Sequence, residues 1–200
     1  MSSNPLRYFA LHKPYGMLSQ FTGGHPGLRM LSDLPFTFPE GIHAVGRLDY
    51  TSEGLLLLTT DPKVTKRLFD PAAQHPRSYL VNVYKQVSDA TMAQLSDGIS
   101  IRIKGGLDYT TAPAIVTRVE RPAALPRITH ELRADIPQDW LQITLTEGKF
   151  RQVRKMLQTV YHPCHRLIRL SIGRMELGEL RSGELRELDE TAFFGSLGLG

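Results

Sequence analysis

The chain has 200 residues, 41% of them hydrophobic and 22% charged, with a formal net charge of +4; that is enough for one domain with a substantial core or for two closely packed lobes. No run approaches the roughly 20 apolar residues that a membrane-spanning helix needs, and the opening MSSNPLRYF lacks the charged start and apolar middle of a secretory signal. A single cysteine, Cys164, excludes an internal disulfide framework and suits a reducing compartment, so a soluble cytoplasmic protein is expected.

In chain order, LRYFALHKP (6–14) alternates as a strand and ends in the turn Pro14-Tyr15-Gly16. Residues 19–41 hold several Gly and Pro and read as a long loop. IHAVG is a short strand leading into Arg47-Leu48-Asp49, and GLLLLTT is the next strand, buried and far too short to span a bilayer. Asp61-Pro62 opens a helix to about Phe69, with Asp61 as its cap. RSYLVNVYK (77–85) has period two, a half-buried strand. SDATMAQLSDG (88–98) is a helix capped by Ser88 or Asp89 and closed at Gly98.

Strands are expected at about 100–104, 112–119 and 140–146, with the Pro- and charge-rich RPAALPRITHELRADIPQ as a surface loop between the last two. A helix at 150–161 turns Val153, Met156, Leu157 and Val160 inward. HRLIRLSIG and ELREL are closing strands, and GSLGLG reads as a loose tail. The pattern is α+β and strand-dominated, without strict βαβ alternation.

Positive charge gathers in EGKFRQVRKMLQTVYHPCHRLIRLSIGR (147–174), where Lys149, Arg151, Arg154, Lys155, Arg166, Arg169 and Arg174 face the acid Glu147. Such a run is either a solvated face or a footprint for phosphate backbones. Other candidate sites are weaker. FTGGHPG lacks the Lys-Ser/Thr ending and the strand-to-helix setting of a phosphate loop. His162, Cys164 and His165 in YHPCHR lack zinc spacing and a further ligand cluster. Ser52 has no GxSxG elbow around it.

Asp49 is the carboxylate that packing explains least. It follows Arg47 and Leu48 in a short link between two strands, where catalytic groups can be held rigidly. Two readings stay open on the residues: a turn carboxylate paired with Arg47 or capping local backbone amides, or a nucleophile kept ionised and aimed by nearby cations.

A family resemblance goes further. GRLDYTSEGLLLLTTD (46–61) is very similar to the signature of pseudouridine synthases, in the branch that modifies ribosomal RNA. LHKPYGMLSQF resembles that branch's Lys-Pro motif, and RSYLVNV its tyrosine motif, with Arg77-Ser78 in place of the usual Lys-Thr. EGKFRQVRKML and RLIRLSIG resemble its third motif and the strand after it. The motifs run in the family's order from about Arg7 to Leu188.

The resemblance implies a mixed, mainly antiparallel central sheet flanked by helices, with an active-site cleft between two subdomains. One catalytic domain would span 6–190, with flexible ends at 1–5 and 191–200. No S4 RNA-binding domain would precede Lys13, as in the compact branch acting on the large ribosomal subunit. Asp49 would be the catalytic aspartate, Tyr79 would stack on the uracil and relay a proton, and Arg154 would fix the Asp49 carboxylate. Val153 and Leu167 would wall the pocket, and Arg47 would hold the flipped nucleotide. Lys13, Lys149 and Arg151 would also contact substrate.

The implied reaction isomerises a uridine in RNA to its C-glycoside and needs no metal or other cofactor. Asp49 would attack C1′ of the ribose, attack C6 of the uracil, or assist loss of the 2′ proton. The implied partner is ribosomal RNA, met by a monomer. Two other classes compete: an RNA-binding module without catalysis, and a metal-dependent nuclease using Asp49, Asp61 and histidines.

Overall fold

The computed structural model describes residues 5–23, 26–70, 75–129 and 131–199. They form two compact units, one built from the described residues up to His75 together with those from Arg169 onward, and the other from the described residues between Pro76 and Ile168. The GGHPG part of the glycine-containing stretch includes Gly24 and His25, which lie outside the described residues.

The first unit opens with β1 (Tyr8–Lys13), every residue of which is buried. Next come β2 (Met17–Leu18) and β3 (Arg29–Met30), a short parallel pair, and a 3-10 turn at Leu31–Asp33. The loop expected at 19–41 therefore contains a little regular structure. β4 (His43–Val45) and β5 (Ser52–Thr59) both follow, antiparallel to one another. β5 begins earlier than expected, at Ser52, and all of its residues are buried. β1 pairs antiparallel with β5. The Leu55-Leu56-Leu57-Leu58 run is thus a strand buried on both faces, which is why it is continuously apolar instead of alternating. Leu56 and Leu58 join Phe9, Leu11, Met17, Leu31, Leu34 and Leu48 in one core cluster.

Helix α1 is short, Val64–Leu68, and starts later than expected. Asp61 does not cap it: its carboxylate accepts from the Lys63 N–H at 2.9 Å, making a local turn before the helix.

The second unit starts with β6 (Arg77–Tyr84) and α2 (Asp89–Asp97), which Ser88 caps by accepting the Thr91 N–H at 3.2 Å. β7 (Ser100–Arg102) and β8 (Asp108–Thr110) form an antiparallel hairpin, and β8 is a strand that sequence reading did not foresee. β9 (Ile115–Val119) and β10 (Gln138–Leu145) pair antiparallel, and β10 pairs antiparallel with β6. α3 (Gln152–Thr159) turns Val153, Met156 and Leu157 into a core with Val81, Val83, Leu141 and Ile143.

β11 (Cys164–Ile172) carries the chain out of the second unit and back into the first. β12 (Met175–Glu176) pairs with β11, and β13 (Leu185–Leu188) pairs with β1, both antiparallel. The last element, α4 (Glu190–Leu197), replaces the expected loose tail. Asp189 caps it through the Ala192 N–H at 2.8 Å. Phe193 is fully buried against Tyr8, with ring centroids 4.8 Å apart, so the tail is held by aromatic packing. The fold class is α+β with a mainly antiparallel sheet, as expected.

Candidate active site

Leu48 is buried and drags its neighbours to the core's edge, leaving Arg47 exposed and Asp49 half-buried. The turn holding Asp49 is fastened at several points. The Asp49 carbonyl accepts the Ser52 N–H at 3.0 Å, closing a four-residue turn into β5. The Tyr50 carbonyl accepts the Gly16 N–H at 2.9 Å. The buried Ser19 hydroxyl donates to the Leu48 carbonyl at 2.8 Å and accepts the Leu48 N–H at 3.0 Å. The segment after β1 is therefore a bracket for the Asp49 turn.

Charge is arranged beneath this turn. Lys13 has no exposed surface, and its ammonium donates to the carbonyls of Pro14 at 2.8 Å and Met17 at 2.6 Å. Burial pushes its pKa down to about 7; the Glu53 and Asp49 carboxylates pull the other way, and Arg169 adds to the depression. Glu53 and Arg169 are themselves buried. The Arg169 Nε donates to the Leu55 carbonyl at 2.7 Å. Gly54 permits this packing: at φ +100°, a Cβ there would lie 2.3 Å from the Arg169 carbonyl oxygen. Lys13, expected among the substrate contacts, is thus an interior cation, fully buried and bonded to the Pro14 and Met17 carbonyls.

In the second unit, Tyr79 stands on β6 opposite Ile143 and packs, half-buried, on the cluster that contains Val153 and Leu167. Arg154 projects from α3, and its Nη1 donates to the Cys164 carbonyl at 3.3 Å. Lys149 and Arg151 are exposed on the turn before α3. That turn is tied down by Glu147. Burial opposes the Glu147 charge, but bonds from the Tyr109 hydroxyl, the Ala112 N–H and the Gln152 amide outweigh it and hold the carboxyl below its usual range.

The basic run does not act as one face. Arg166 is buried, its Nη1 donating to the Pro126 carbonyl at 2.9 Å, and Arg169 is buried as described. Arg174 donates to the Gly195 carbonyl at 2.7 Å and fastens α4. The histidines of YHPCHR are packing groups: His162 Nδ1 pairs with the Tyr84 carbonyl at 3.1 Å, and His165 meets the Tyr84 ring edge-on. Among the described residues, no group of three or more His, Cys, Asp or Glu could hold a metal ion. Ser52 is buried inside β5. Sequence reading missed Ser19 and Glu53 and placed Arg169 only in the basic run, since each acts through contacts distant in the chain; the polar residues inside apolar strand patterns were the available signal.

The profile of the family described as RNA pseudouridylate synthase matches residues 7–159, spanning the Asp49 turn, β6 and α3. The chain belongs to the RNA pseudouridylate synthase family. Like its relatives, it is an isomerase that acts on RNA. It is 40% identical over 185 residues to the ribosomal large subunit pseudouridine synthase E of Xanthomonas campestris pv. campestris, covering 91% of this chain and 95% of that one. The protein of the same name from Vibrio vulnificus is 38% identical over 88% of this chain and 73% of its own. A crystal structure of a pseudouridylate synthase superposes with a TM-score of 0.74 at 27% identity, over 96% of this chain and 74% of that one.

Proposed function

We propose that this pseudouridine synthase isomerises a specific uridine in the ribosomal RNA of the large subunit, with Asp49 as its nucleophile. The N1–C1′ bond breaks, the detached uracil turns, and a C5–C1′ bond forms; C5 gives up its proton and N1 gains one, so atoms and electrons balance within the nucleotide. Such an internal rearrangement consumes no oxidant, reductant or nucleotide, and in this reading it calls on no metal or other cofactor. The base must leave its stack first, at a cost of a few kcal/mol.

The observation that carries the assignment is the setting of Asp49. Its turn is bonded to Ser19 and Gly16 and lies within electrostatic reach of the Lys13 ammonium. A nucleophile needs such a fixed aim. In this reading Tyr79 stacks on the uracil, and Arg154 steadies the Asp49 carboxylate with its planar fork. Val153 and Leu167 wall the pocket, Arg47 holds the flipped nucleotide, and Lys149 and Arg151 take phosphates. Lys13 supports Asp49 electrostatically instead of touching RNA.

The names of the relatives support the large-subunit target. Among the described residues no helix is long and apolar enough to cross a membrane, and we place the enzyme in the cytoplasm as a monomer.

Mapping pseudouridines in ribosomal RNA from cells with and without the gene tests target and reaction together; loss of signal at a large-subunit position is expected. With purified protein, Asp49→Asn should abolish turnover and leave RNA affinity within about threefold of wild type. Turnover equal to wild type in Asp49→Asn would remove the nucleophile, and strand cleavage stopped by a chelator would point to a nuclease instead.

A further inference from the structure

Phe150 sits on the turn between β10 and α3 with 70% of its surface exposed. A single exposed apolar side chain is ordinary; its surroundings are not. Lys149 and Arg151 flank it in sequence, both exposed. The Lys155 ammonium lies 5.5 Å from the centre of its ring, pinned there by donation to the Arg102 carbonyl at 2.6 Å. Lys149 lies 4.5 Å from the centre of the Tyr109 ring. Aromatic rings and ammonium groups thus alternate across one surface of the second unit.

This surface is stiffly mounted. The Lys149 N–H donates to the Gln152 side-chain oxygen at 2.8 Å, and the Gln152 amide donates to Glu147 at 2.6 Å. Arg151 takes the left-handed conformation, φ 55°, uncommon for a residue with a side chain. Gly148 leaves room for the buried Arg77 beneath, whose Nη1 would be 3.2 Å from a Cβ at that position. The acid of the turn, Glu147, is turned inward and spent on Tyr109, Ala112 and Gln152. What faces outward is cationic and aromatic.

We infer that Phe150 is a stacking platform for an unpaired base of the RNA substrate, with Lys149, Arg151 and Lys155 holding the phosphates on either side of that base. Alternating aromatic faces and ammonium groups match alternating bases and phosphates, and a flexible single strand can lay one base on the ring without sequence readout. This goes beyond the phosphate contacts proposed for Lys149 and Arg151, and it rests on the family's action on RNA.

The test is binding of a fluorescein-labelled oligouridylate, followed by anisotropy across a range of salt concentrations. Phe150→Ala should weaken binding about tenfold, the typical loss of one stacked base, without changing the salt dependence. Lys149→Gln or Arg151→Gln should instead lower the slope of log K against log salt by about 0.7 each, the single-strand value per phosphate. Phe150→Trp should bind as tightly as wild type, with its indole emission quenched by RNA; Trp140 is buried and supplies a constant background. Phe150→Ala binding within twofold of wild type, or an indole at 150 indifferent to RNA, overturns the platform while leaving the enzyme's assignment intact. A wild type that neither binds RNA nor isomerises uridine removes both.

Discussion

Ser19 and Leu48 hold one another from both sides: the Leu48 N–H donates to the serine oxygen at 3.0 Å, and the hydroxyl donates back to the Leu48 carbonyl at 2.8 Å. Leu48 immediately precedes Asp49, so this pair sets where the carboxylate stands. Ser19→Ala leaves two buried backbone groups without this partner, at a cost of about 1–3 kcal/mol. Turnover should fall about tenfold or more through loss of aim, while RNA affinity stays at the wild-type value. Single-turnover kinetics beside a binding isotherm separate the two; unchanged kinetics would show that the Asp49 turn holds its place without Ser19.

Lys13 makes folding stability depend on pH. Its folded pKa is about 7 against an ordinary 10.5, chiefly because it is buried. Between those values the unfolded chain holds the proton and the folded chain has released it. Stability therefore rises with pH across that window, by up to about 1.4 kcal/mol per pH unit. The contribution is complete above 10.5 and is lost as pH falls through 7. Urea unfolding of wild type and Lys13→Met at several pH values isolates it: the wild type should gain on the variant as pH rises from 7 to 10. Parallel curves would mean that this lysine titrates at its ordinary value.

Tyr79→Phe keeps the aromatic face and its packing on the Val153 and Leu167 cluster but removes the hydroxyl. RNA affinity should persist, and turnover should drop about 100-fold or more if the hydroxyl carries a proton. A fully active variant would leave Tyr79 a stacking role alone. Arg154→Lys, which keeps charge but loses the planar fork, should reduce turnover severely; near-normal rates would remove the catalytic role proposed for Arg154.

Helix α4 is structural in weight, and Phe193→Ala measures it. The ring is fully buried against Tyr8, so truncation should cost about 3–5 kcal/mol. A small shift in the thermal midpoint, within about 1 °C, would show that α4 is detached from β1 in solution.

Much of this protein is legible in its residues. The buried strand at Leu55–Leu58, the half-buried strand at 77–84 and the helix at 152–159 follow from local periodicity, which a short window of sequence contains. The Asp49 turn stood out because a carboxylate between two strands has no local explanation. Helix α4 did not stand out: Phe193-Phe194 lies among small residues, without helical periodicity, and its reason is Tyr8 at the other end of the chain.

Composition and pattern by themselves determined the α+β class and the strand framework, and the resemblance of the motifs pointed to the family. Tertiary structure alone decided which charges are interior and which face water. Lys13, Arg166 and Arg169 read as surface cations in the chain, yet each is buried and bonded to backbone carbonyls. The physical reason is that burying a charge depends on partners brought from far along the chain, and no local pattern encodes who those partners are.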